Sequence, residues 1–318
     1  MHIKIGTRGS QLALAQSEAV KAAILTQKLV SDVELVKIKT LGDRKQGTPQ
    51  ASQSDKKDWV IDLETAIVDS SIDLAVHSGK DIPVEIEKGT ILIPVLRRAN
   101  PFDSFIGRLT ADGQTRMRLA DLPLGAKVGT ASLRRRAHLL RFRPDLQVIE
   151  HRGNVPTRLQ KMDDSDDIMG IVLAQAGIDR LGLSHLQTET FTLDKMIPAV
   201  NQAILIAQCR ADDQLVIELL QQISDPHTAA IWHAERAVAE VLNGDCKSAV
   251  SIFAQCDANE IELVSAVMSP CGNDYVQVKQ SSSMQDARQL GLNVGQALIA
   301  QGADRILKEA ASAIGVKP

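Results

Sequence analysis

The sequence has 318 residues, a net charge of −3 at pH 7, 44% hydrophobic and 24% charged residues, the composition of a folded protein with two or three domains. Aromatic residues make up only 3%, which argues against a stacking platform for single-stranded nucleic acid, and no apolar stretch approaches the roughly 20 residues of a membrane helix. The first strand starts directly after Met1 without a signal peptide, so we expect a cytoplasmic protein that binds no membrane.

The predicted elements form three passages. Residues 1 to about 100 alternate between strand and helix, and a second alternating set begins near Lys127, which favours parallel sheets covered by helices. Asp225-Pro226 predicts the start of a long helix that ends at Asn243-Gly244, before an antiparallel sheet and a last helix from about Asp286. The other elements are, in chain order, strand 2–5, helix 11–28, strand 33–38, helix 59–68, strands 72–76, 91–96 and 127–128, helix 132–142, strand 147–150, helix 155–162, and strands 168–173, 250–254, 261–267 and 275–279.

A positively charged segment lies where a strand of the second passage turns into a helix. It begins with Gly129-Thr130-Ala131-Ser132, and residues 134–158 contain seven arginines against two acids. Backbone N–H groups at the start of a helix and planar guanidinium groups both bind carboxylates or phosphates. A solvated basic helix face would explain one charged helix, but Arg152 follows a second strand of the same predicted sheet. We therefore predict an anion pocket.

Two polar segments follow strands of the first passage. Residues 6–10, Gly-Thr-Arg-Gly-Ser, stand where open α/β sheets place ligands, although a plain loop with a helix cap explains them equally well. Residues 77–81, His-Ser-Gly-Lys-Asp, end a buried strand, and Pro83 follows them closely. We expect Asp81 to bind cationic N–H groups and Lys80 to bind carboxylates.

The four cysteines are widely spaced and contain no Cys-x-x-Cys pair, so we expect neither a disulfide framework nor a metal site. Cys246 follows the end of the long helix and lies beside Lys247, where its thiol could ionise and act as a nucleophile. Taken alone, an inert loop cysteine explains these residues more simply, because no histidine lies close in the sequence. The other three cysteines are interpreted as structural.

Taken together and in order, these segments resemble the porphobilinogen deaminase (hydroxymethylbilane synthase) family along nearly the whole chain. The matching segments are residues 5–10 with Leu12-Ala13-Leu14 and Gln16, 39–43, 73–83, 128–135, 152–155 with 157–159, 176–177 with 180–183, 198–200 with Gln202, 209–210, 234–236 and Cys246. The resemblance implies an α/β fold with two domains like type II periplasmic binding proteins and a small C-terminal α+β domain with an antiparallel sheet. We predict domain 1 at residues 1–102 with 203–221, domain 2 at 103–202 and domain 3 at 222–318.

The resemblance also implies a transferase that joins four porphobilinogen molecules into the linear tetrapyrrole hydroxymethylbilane. The family builds this product on a dipyrromethane cofactor, bound as a thioether to the cysteine that matches Cys246, and Asp81 matches its catalytic aspartate. Each pyrrole carries an acetate and a propionate, which accounts for the local excess of arginine. The residues implied to bind the cofactor are Cys246, Asp81, Lys80, Ser78, Thr130, Ser132, Arg134, Arg135, Arg158 and Arg180, and those implied to bind substrate are Arg8, Ser10, Gln16, Lys56, Arg152 and Gln202.

The sequence departs from the family pattern at several positions. The family has a glycine pair, a lysine and Gly-Leu-Phe where this chain has Ser-Asp, Lys56 and Lys-Asp-Trp over residues 54–59. Gly79 replaces a larger apolar residue, Ala131 replaces a serine, and Asn201 and Ala203 replace glycines. The usual proline after the cofactor cysteine is also missing.

Two other functions are compatible with parts of the pattern. A catalytically weak or inactive paralogue would bind an acidic small molecule without turning it over, but such a protein would not need Cys246. A nucleic-acid-binding module would use the arginine cluster, but the negative net charge and the scarcity of aromatics count against it. The family suggests a monomer, and we expect no nucleic-acid partner.

Overall fold

The computed structural model describes residues 2–45, 56–242 and 249–313. The chain divides into two compact units: unit 1 comprises Met1–Ala99 and Ala203–His233, and unit 2 comprises Asn100–Gln202 and Ala234–Pro318. The chain therefore passes from one unit to the other three times. The prediction of three domains with the boundaries given above stays a prediction.

The described residues form most of the predicted strands and helices, and they add elements that the sequence analysis did not predict. The strands are β1 (His2–Thr7), β2 (Asp32–Lys37), β3 (Leu74–Ser78), β4 (Thr90–Val95), β5 (Asp103–Gly107), β6 (Lys127–Gly129), β7 (Gln147–Ile149), β8 (Ile168–Ala174), β9 (Glu189–Thr190), β10 (Leu205–Arg210), β11 (Ala249–Asp257), β12 (Glu260–Met268) and β13 (Tyr275–Ser283). The helices are α1 (Gln11–Thr26), α2 (Leu41–Lys45), α3 (Ile61–Val68), α4 (Leu133–Phe142), α5 (Val155–Asp163), α6 (Gln175–Arg180), α7 (Gln214–Gln222), α8 (Pro226–Val241), α9 (Ala287–Ala300) and α10 (Ala303–Ala313). Among the elements that were not predicted are β5, β10, α2, α6 and α7.

Unit 1 is built around a five-stranded sheet in the order β2-β1-β3-β10-β4. The first three strands are parallel, whereas β10 pairs antiparallel with both β3 and β4. Alternating apolar residues cover the two faces: Ile3 and Ile5 pack in a core with α1 and α7, and Ala75 packs with α3 on the other face. The sheet is thus mixed rather than purely parallel, because β10 enters it from the crossing at residue 203.

Unit 2 contains a sheet with the corresponding order, β7-β6-β8-β5-β9. Strand β6 is parallel to β7 and β8, and β5 is antiparallel to β8 and β9. In both sheets, therefore, the antiparallel fourth strand is the one that directly follows a crossing between the units. The predicted repetition of one architecture is visible in this topology.

The C-terminal part of unit 2 holds an antiparallel sheet, β11-β12-β13, covered by α9 and α10. Helix α9 approaches α8 closely, because a Cβ atom on Gly291 would lie 2.2 Å from the carbonyl oxygen of Ala234. The predicted α/β fold with a small C-terminal α+β domain is confirmed. The expected last helix is divided into α9 and α10 at Gly302, whose positive φ of 90° suits glycine.

The segment at the second crossing has an unusual backbone. Asn201 and Ala203 adopt positive φ angles of 53° and 71°. These are the two positions at which the sequence analysis found a replacement of family glycines, and glycine populates this region without a steric cost. Both positions therefore hold a backbone conformation that glycine adopts more easily than asparagine or alanine.

Candidate active site

In unit 1, Asp81 lies where β3 ends. The strand stops at Ser78, the backbone turns through a 3-10 helix over Gly79–Asp81, and Asp81 is exposed. The Ser78 hydroxyl accepts a hydrogen bond from Gln16 Nε2 of α1 at 2.8 Å. Lys56 Nζ donates to the Ile82 carbonyl at 3.4 Å. The fold thus gathers several of the predicted site residues around the end of one strand.

Arg8 lies at the end of a neighbouring strand and has two partners that the sequence analysis did not assign to it. Its Nη2 and Nε donate to the Asp43 carboxylate at 2.6 and 3.3 Å, and its guanidinium carbon lies 4.2 Å from the centroid of the Trp59 ring. Burial alone would raise the pKa of Asp43, but hydrogen bonds from Arg8 and Thr40 outweigh this effect and hold the pKa below its usual value. Asp43 is therefore a charged partner of Arg8.

Ser10 caps the first helix. Its hydroxyl oxygen accepts a hydrogen bond from the Ala13 backbone N–H at 3.2 Å. The same hydroxyl can still donate its proton to an anion. The plain helix-cap interpretation of residues 6–10 thus describes the backbone, and substrate binding by Ser10 stays a prediction.

In unit 2, Arg134 and Arg135 are buried against Asp103, which is 0% exposed. Arg134 Nη2 lies 2.7 Å from Asp103 Oδ2, and Arg135 Nη2 lies 2.8 Å from Oδ1. Burial alone would raise the pKa of Asp103, but the charges of the two arginines and their hydrogen bonds hold it well below its usual value. Two guanidinium groups thus share one carboxylate, which leaves an excess of one positive charge.

Each of these arginines also holds a backbone carbonyl. Arg134 Nη1 donates to Ile197 at 2.7 Å, and Arg135 Nη1 donates to Val172 at 2.8 Å. Gln202 joins the same cluster, since its Nε2 donates to Asp103 Oδ1 at 3.1 Å. Arg134 and Arg135, which the resemblance implies to bind the cofactor, therefore also link α4 to β5, β8 and the segment before the second crossing.

The predicted hydroxyl residues organise the start of α4. The Ser132 oxygen accepts from the Arg135 N–H at 3.4 Å, and Thr130 Oγ1 accepts from the Ser132 N–H at 3.1 Å. Because α4 has ten residues, its dipole adds positive potential at this end. The start of α4 thus combines helix and side-chain donors beside a cluster with excess positive charge.

Three further predicted arginines lie near the ends of α5 and α6. Arg152 is half-exposed and pairs with Glu150. Arg158 Nε donates to the Gly153 carbonyl at 2.7 Å. Burial lowers the pKa of Arg180, against the raising effect of Asp179. In unit 2, therefore, Arg152 follows β7, Arg158 lies in the first turn of α5, and Arg180 is the last residue of α6.

Cys246, which the resemblance implies to be the cofactor cysteine, lies outside the described residues, as do residues 54 and 55 of the altered segment. Among the described cysteines, burial raises the pKa of Cys209 to about 11, whereas Cys271 is exposed and a hydrogen bond from Ser269 lowers its pKa. Within residues 2–45, 56–242 and 249–313, no group of three His, Cys, Asp or Glu side chains could hold a metal ion. No helix in this part of the chain is long and apolar enough to cross a membrane.

The sequence analysis missed Asp103 as a site residue. The available signal was an acidic residue shortly before the apolar pair Phe105-Ile106. It also left Asp43 and Glu235 without roles, although both lie in segments that match the family. Glu235 is fully buried and accepts the N–H groups of Asn201 and Ala254, so it fixes the second crossing.

These features define an α/β protein with a buried arginine cluster at the start of α4. The family model described as "Porphobilinogen deaminase, dipyromethane cofactor binding domain" matches residues 3–218, and "Porphobilinogen deaminase, C-terminal domain" matches residues 229–300. The chain belongs to the porphobilinogen deaminase family. The family predicted from the sequence is thereby confirmed, as are the expectations of an enzyme and of a dipyrromethane cofactor.

Individual relatives agree with this assignment. Porphobilinogen deaminase of Geobacter sulfurreducens is 38% identical over 307 residues, which cover 96% of this chain and 94% of the relative. That of Syntrophotalea carbinolica is 39% identical over 305 residues, covering 96% and 95%. Among solved structures, the methionine-binding protein MetQ is similar with a TM-score of 0.44 and 18% identity, covering 69% of this chain and 89% of that protein. The comparisons give no support to an inactive paralogue.

Proposed function

We propose that this chain converts four porphobilinogen molecules and one water into hydroxymethylbilane and four ammonia molecules, with Asp81 as the catalytic carboxylate and Cys246 as the cofactor attachment site. The observation that carries the proposal is the excess positive charge that Arg134 and Arg135 maintain around Asp103. An uncompensated buried charge is costly unless an opposite charge approaches it. A substrate and a cofactor that carry several carboxylates supply that charge.

The residues of unit 2 fit the dipyrromethane, which has two acetate and two propionate groups. We propose that Thr130, Ser132, Arg158 and Arg180, together with the field of Arg134 and Arg135, hold these carboxylates. Guanidinium groups and helix starts are the donors best suited to carboxylates. When bound, the cofactor supplies the pyrrole α-carbon that receives the first substrate unit.

The residues of unit 1 act on the incoming porphobilinogen. Asp81 accepts the pyrrole N–H and stabilises the positive charge that develops on the ring as ammonia leaves. Its exposure at the end of β3 leaves the carboxylate accessible to substrate. Arg8, Ser10, Gln16 and Lys56 orient the substrate carboxylates, and we assign Arg152 and Gln202 of unit 2 to substrate binding as well. Lys80 and Ser78 contribute to holding the cofactor.

We further propose that the enzyme acts as a monomer in the cytoplasm. The free thiols of Cys209, Cys256 and Cys271 suit a reducing compartment. Sedimentation of the purified protein tests the oligomeric state, and a dimer would contradict it.

The intact mass of the purified protein tests cofactor attachment. We expect the wild-type chain to be heavier by one dipyrromethane than its sequence, and a Cys246→Ser variant to carry no addition. A Cys271→Ser variant is the matched control, because it changes an exposed cysteine and should keep the addition. Equal unmodified masses for wild type and Cys246→Ser would refute the attachment site.

Asp81→Asn tests the catalytic role. Removal of a preorganised charge of this kind lowers the rate by about 100-fold to 1,000-fold, and we expect the loss in kcat for hydroxymethylbilane formation. Glu85→Gln is the matched control, since Glu85 is also exposed and lies four residues away. Turnover of Asp81→Asn within threefold of Glu85→Gln would refute the assignment.

A further inference from the structure

Arg8 belongs to a cluster of four side chains at the carboxyl end of β1, which we call the Arg8 cluster: Arg8, Thr40, Asp43 and Trp59. Arg8 Nη2 and Nε donate to both oxygens of Asp43. Thr40 in turn donates to Asp43 Oδ2 from its backbone N–H at 3.1 Å and from its hydroxyl at 2.7 Å. These two hydrogen bonds from Thr40 fix the orientation of the Asp43 carboxylate independently of Arg8.

Trp59 covers the face of the same guanidinium and is itself held in place. A Cβ atom on Gly42 would lie 2.3 Å from a ring carbon of Trp59, so the indole rests directly on the backbone of α2. Beside it, Lys45 Nζ lies 2.8 Å from Asp58 Oδ2 and joins α2 to the segment that carries the ring. The indole is therefore a fixed surface and not a loosely attached side chain.

One edge of the guanidinium stays available to a ligand. Arginine has five N–H donors in one plane, and Asp43 engages the Nε and Nη2 side. Among the described residues, no acceptor contacts Arg8 Nη1, and the side chain is 25% exposed. Asp43 binds one edge of the Arg8 guanidinium and Trp59 covers one of its faces. Nη1 is therefore directed away from the Asp43 carboxylate.

We propose that Asp43 and Trp59 are positioning residues that present this outer edge of Arg8 to a carboxylate of porphobilinogen. The inference rests on the proposed function, because it takes Arg8 as a substrate-binding residue. An arginine whose plane is already fixed loses less side-chain entropy when it binds a carboxylate. The benefit is therefore expected in substrate affinity rather than in the chemical step.

The first test compares Trp59→Leu with Trp59→Phe. A cation–π contact at a partly exposed site affects binding by about two-fold to 30-fold, so we expect KM for porphobilinogen to rise about tenfold in Trp59→Leu while kcat stays within about twofold. Trp59→Phe keeps an aromatic face and should rescue KM to within about threefold of wild type. An unchanged or lower KM in Trp59→Leu would overturn the proposal. A lower KM would mean that Trp59 hinders the binding of substrate to Arg8.

The second test is Asp43→Asn, which replaces one of two acceptor oxygens by an N–H donor facing the guanidinium. We expect KM to rise about tenfold, again with little change in kcat. Asp62→Asn is the control, because Asp62 holds Arg44 and the Leu41 N–H in the same region without contacting Arg8. If Asp62→Asn raised KM as much as Asp43→Asn, the effect would belong to local structure and the proposal would fail.

A spectroscopic measurement separates orientation from stability. The chain has two tryptophans, Trp59 and the buried Trp232, so a Trp232→Phe background leaves Trp59 as the sole indole reporter. We expect porphobilinogen to change its emission, and Arg8→Lys to abolish that change while the melting temperature stays within about 2 °C. No response in the Arg8-containing protein would overturn the proposal. Absence of the dipyrromethane mass and of turnover in wild type would instead refute the proposed function.

Discussion

The buried cluster of Asp103, Arg134 and Arg135 gives the sharpest expectation about stability. Asp103→Asn keeps the shape of the side chain but leaves two buried guanidinium groups without a countercharge. Removing one partner of a buried ion pair costs about 3 to 5 kcal/mol. The asparagine oxygen still accepts one hydrogen bond, and we therefore expect the lower end, about 3 kcal/mol, which corresponds to a melting temperature lowered by roughly 6–12 °C.

Thermal unfolding followed by circular dichroism at pH 7 measures this effect. Asp166→Asn is the control, because the fully exposed Asp166 pairs with Arg108 at 3.2 Å and its loss should shift the melting temperature by less than about 1 °C. A melting temperature of Asp103→Asn within 1 °C of wild type would refute the reasoning, since it would mean that the two arginines need no buried countercharge.

Three other expectations follow from groups described by the structure. Burial lowers the pKa of His138 to about 3, so the folded state resists a protonation that the unfolded chain accepts below pH 6.5. The free energy of unfolding therefore decreases as the pH is lowered, and this group accounts for about 3 kcal/mol of the decrease at pH 4.5. His138→Gln should reduce that loss in urea titrations at pH 7 and 4.5. Ala203→Gly should raise the melting temperature by about 2 °C, because it relieves a left-handed backbone that costs an alanine about 1 kcal/mol. Iodoacetamide at pH 8 should label Cys271 in the folded protein and leave Cys209 unlabelled, as peptide mass mapping would detect.

Each of these expectations has a control. An equal acid loss in wild type and His138→Gln would exclude His138 as a titrating group. Ala211→Gly makes the same change at an exposed turn without positive φ and should lower stability, so an identical effect at both alanines would contradict the backbone argument. Ser269→Ala should slow the labelling of Cys271, and rapid labelling of Cys209 in the folded state would contradict its burial.

Local patterns predicted much of the fold. Ile3 and Ile5 alternate as a half-buried strand requires, and Ser132 and Asn154 cap α4 and α5 near the predicted helix starts. Strands β5 and β10 were not predicted, because both take their places in the sheets through antiparallel pairing with strands far away in sequence. Short apolar segments such as these do not reveal their partners.

The sequence predicted which residues belong to the site but not which partners they contact. The sequence indicated that Arg134 and Arg135 bind anions, and both contact Asp103, which lies more than 30 positions earlier in a strand that the pattern did not reveal. The partner of Arg8 could be found only after β1 and α2 were placed side by side. In each case the missing information was a long-range pairing, which neither composition nor periodicity encodes.

The sheet order of unit 1 constrains how the chain can fold during its synthesis. Among the strands that the structure describes, β4 pairs in the sheet with β10 alone, and β10 is synthesised more than 100 residues later, after all the strands of the β5–β9 sheet. The β5–β9 sheet of unit 2 can form from one continuous segment of the chain, whereas β4 of the unit 1 sheet stays unpaired until β10 has been synthesised. A chain that ends before residue 205 therefore contains every strand of the β5–β9 sheet but lacks β10 of the unit 1 sheet.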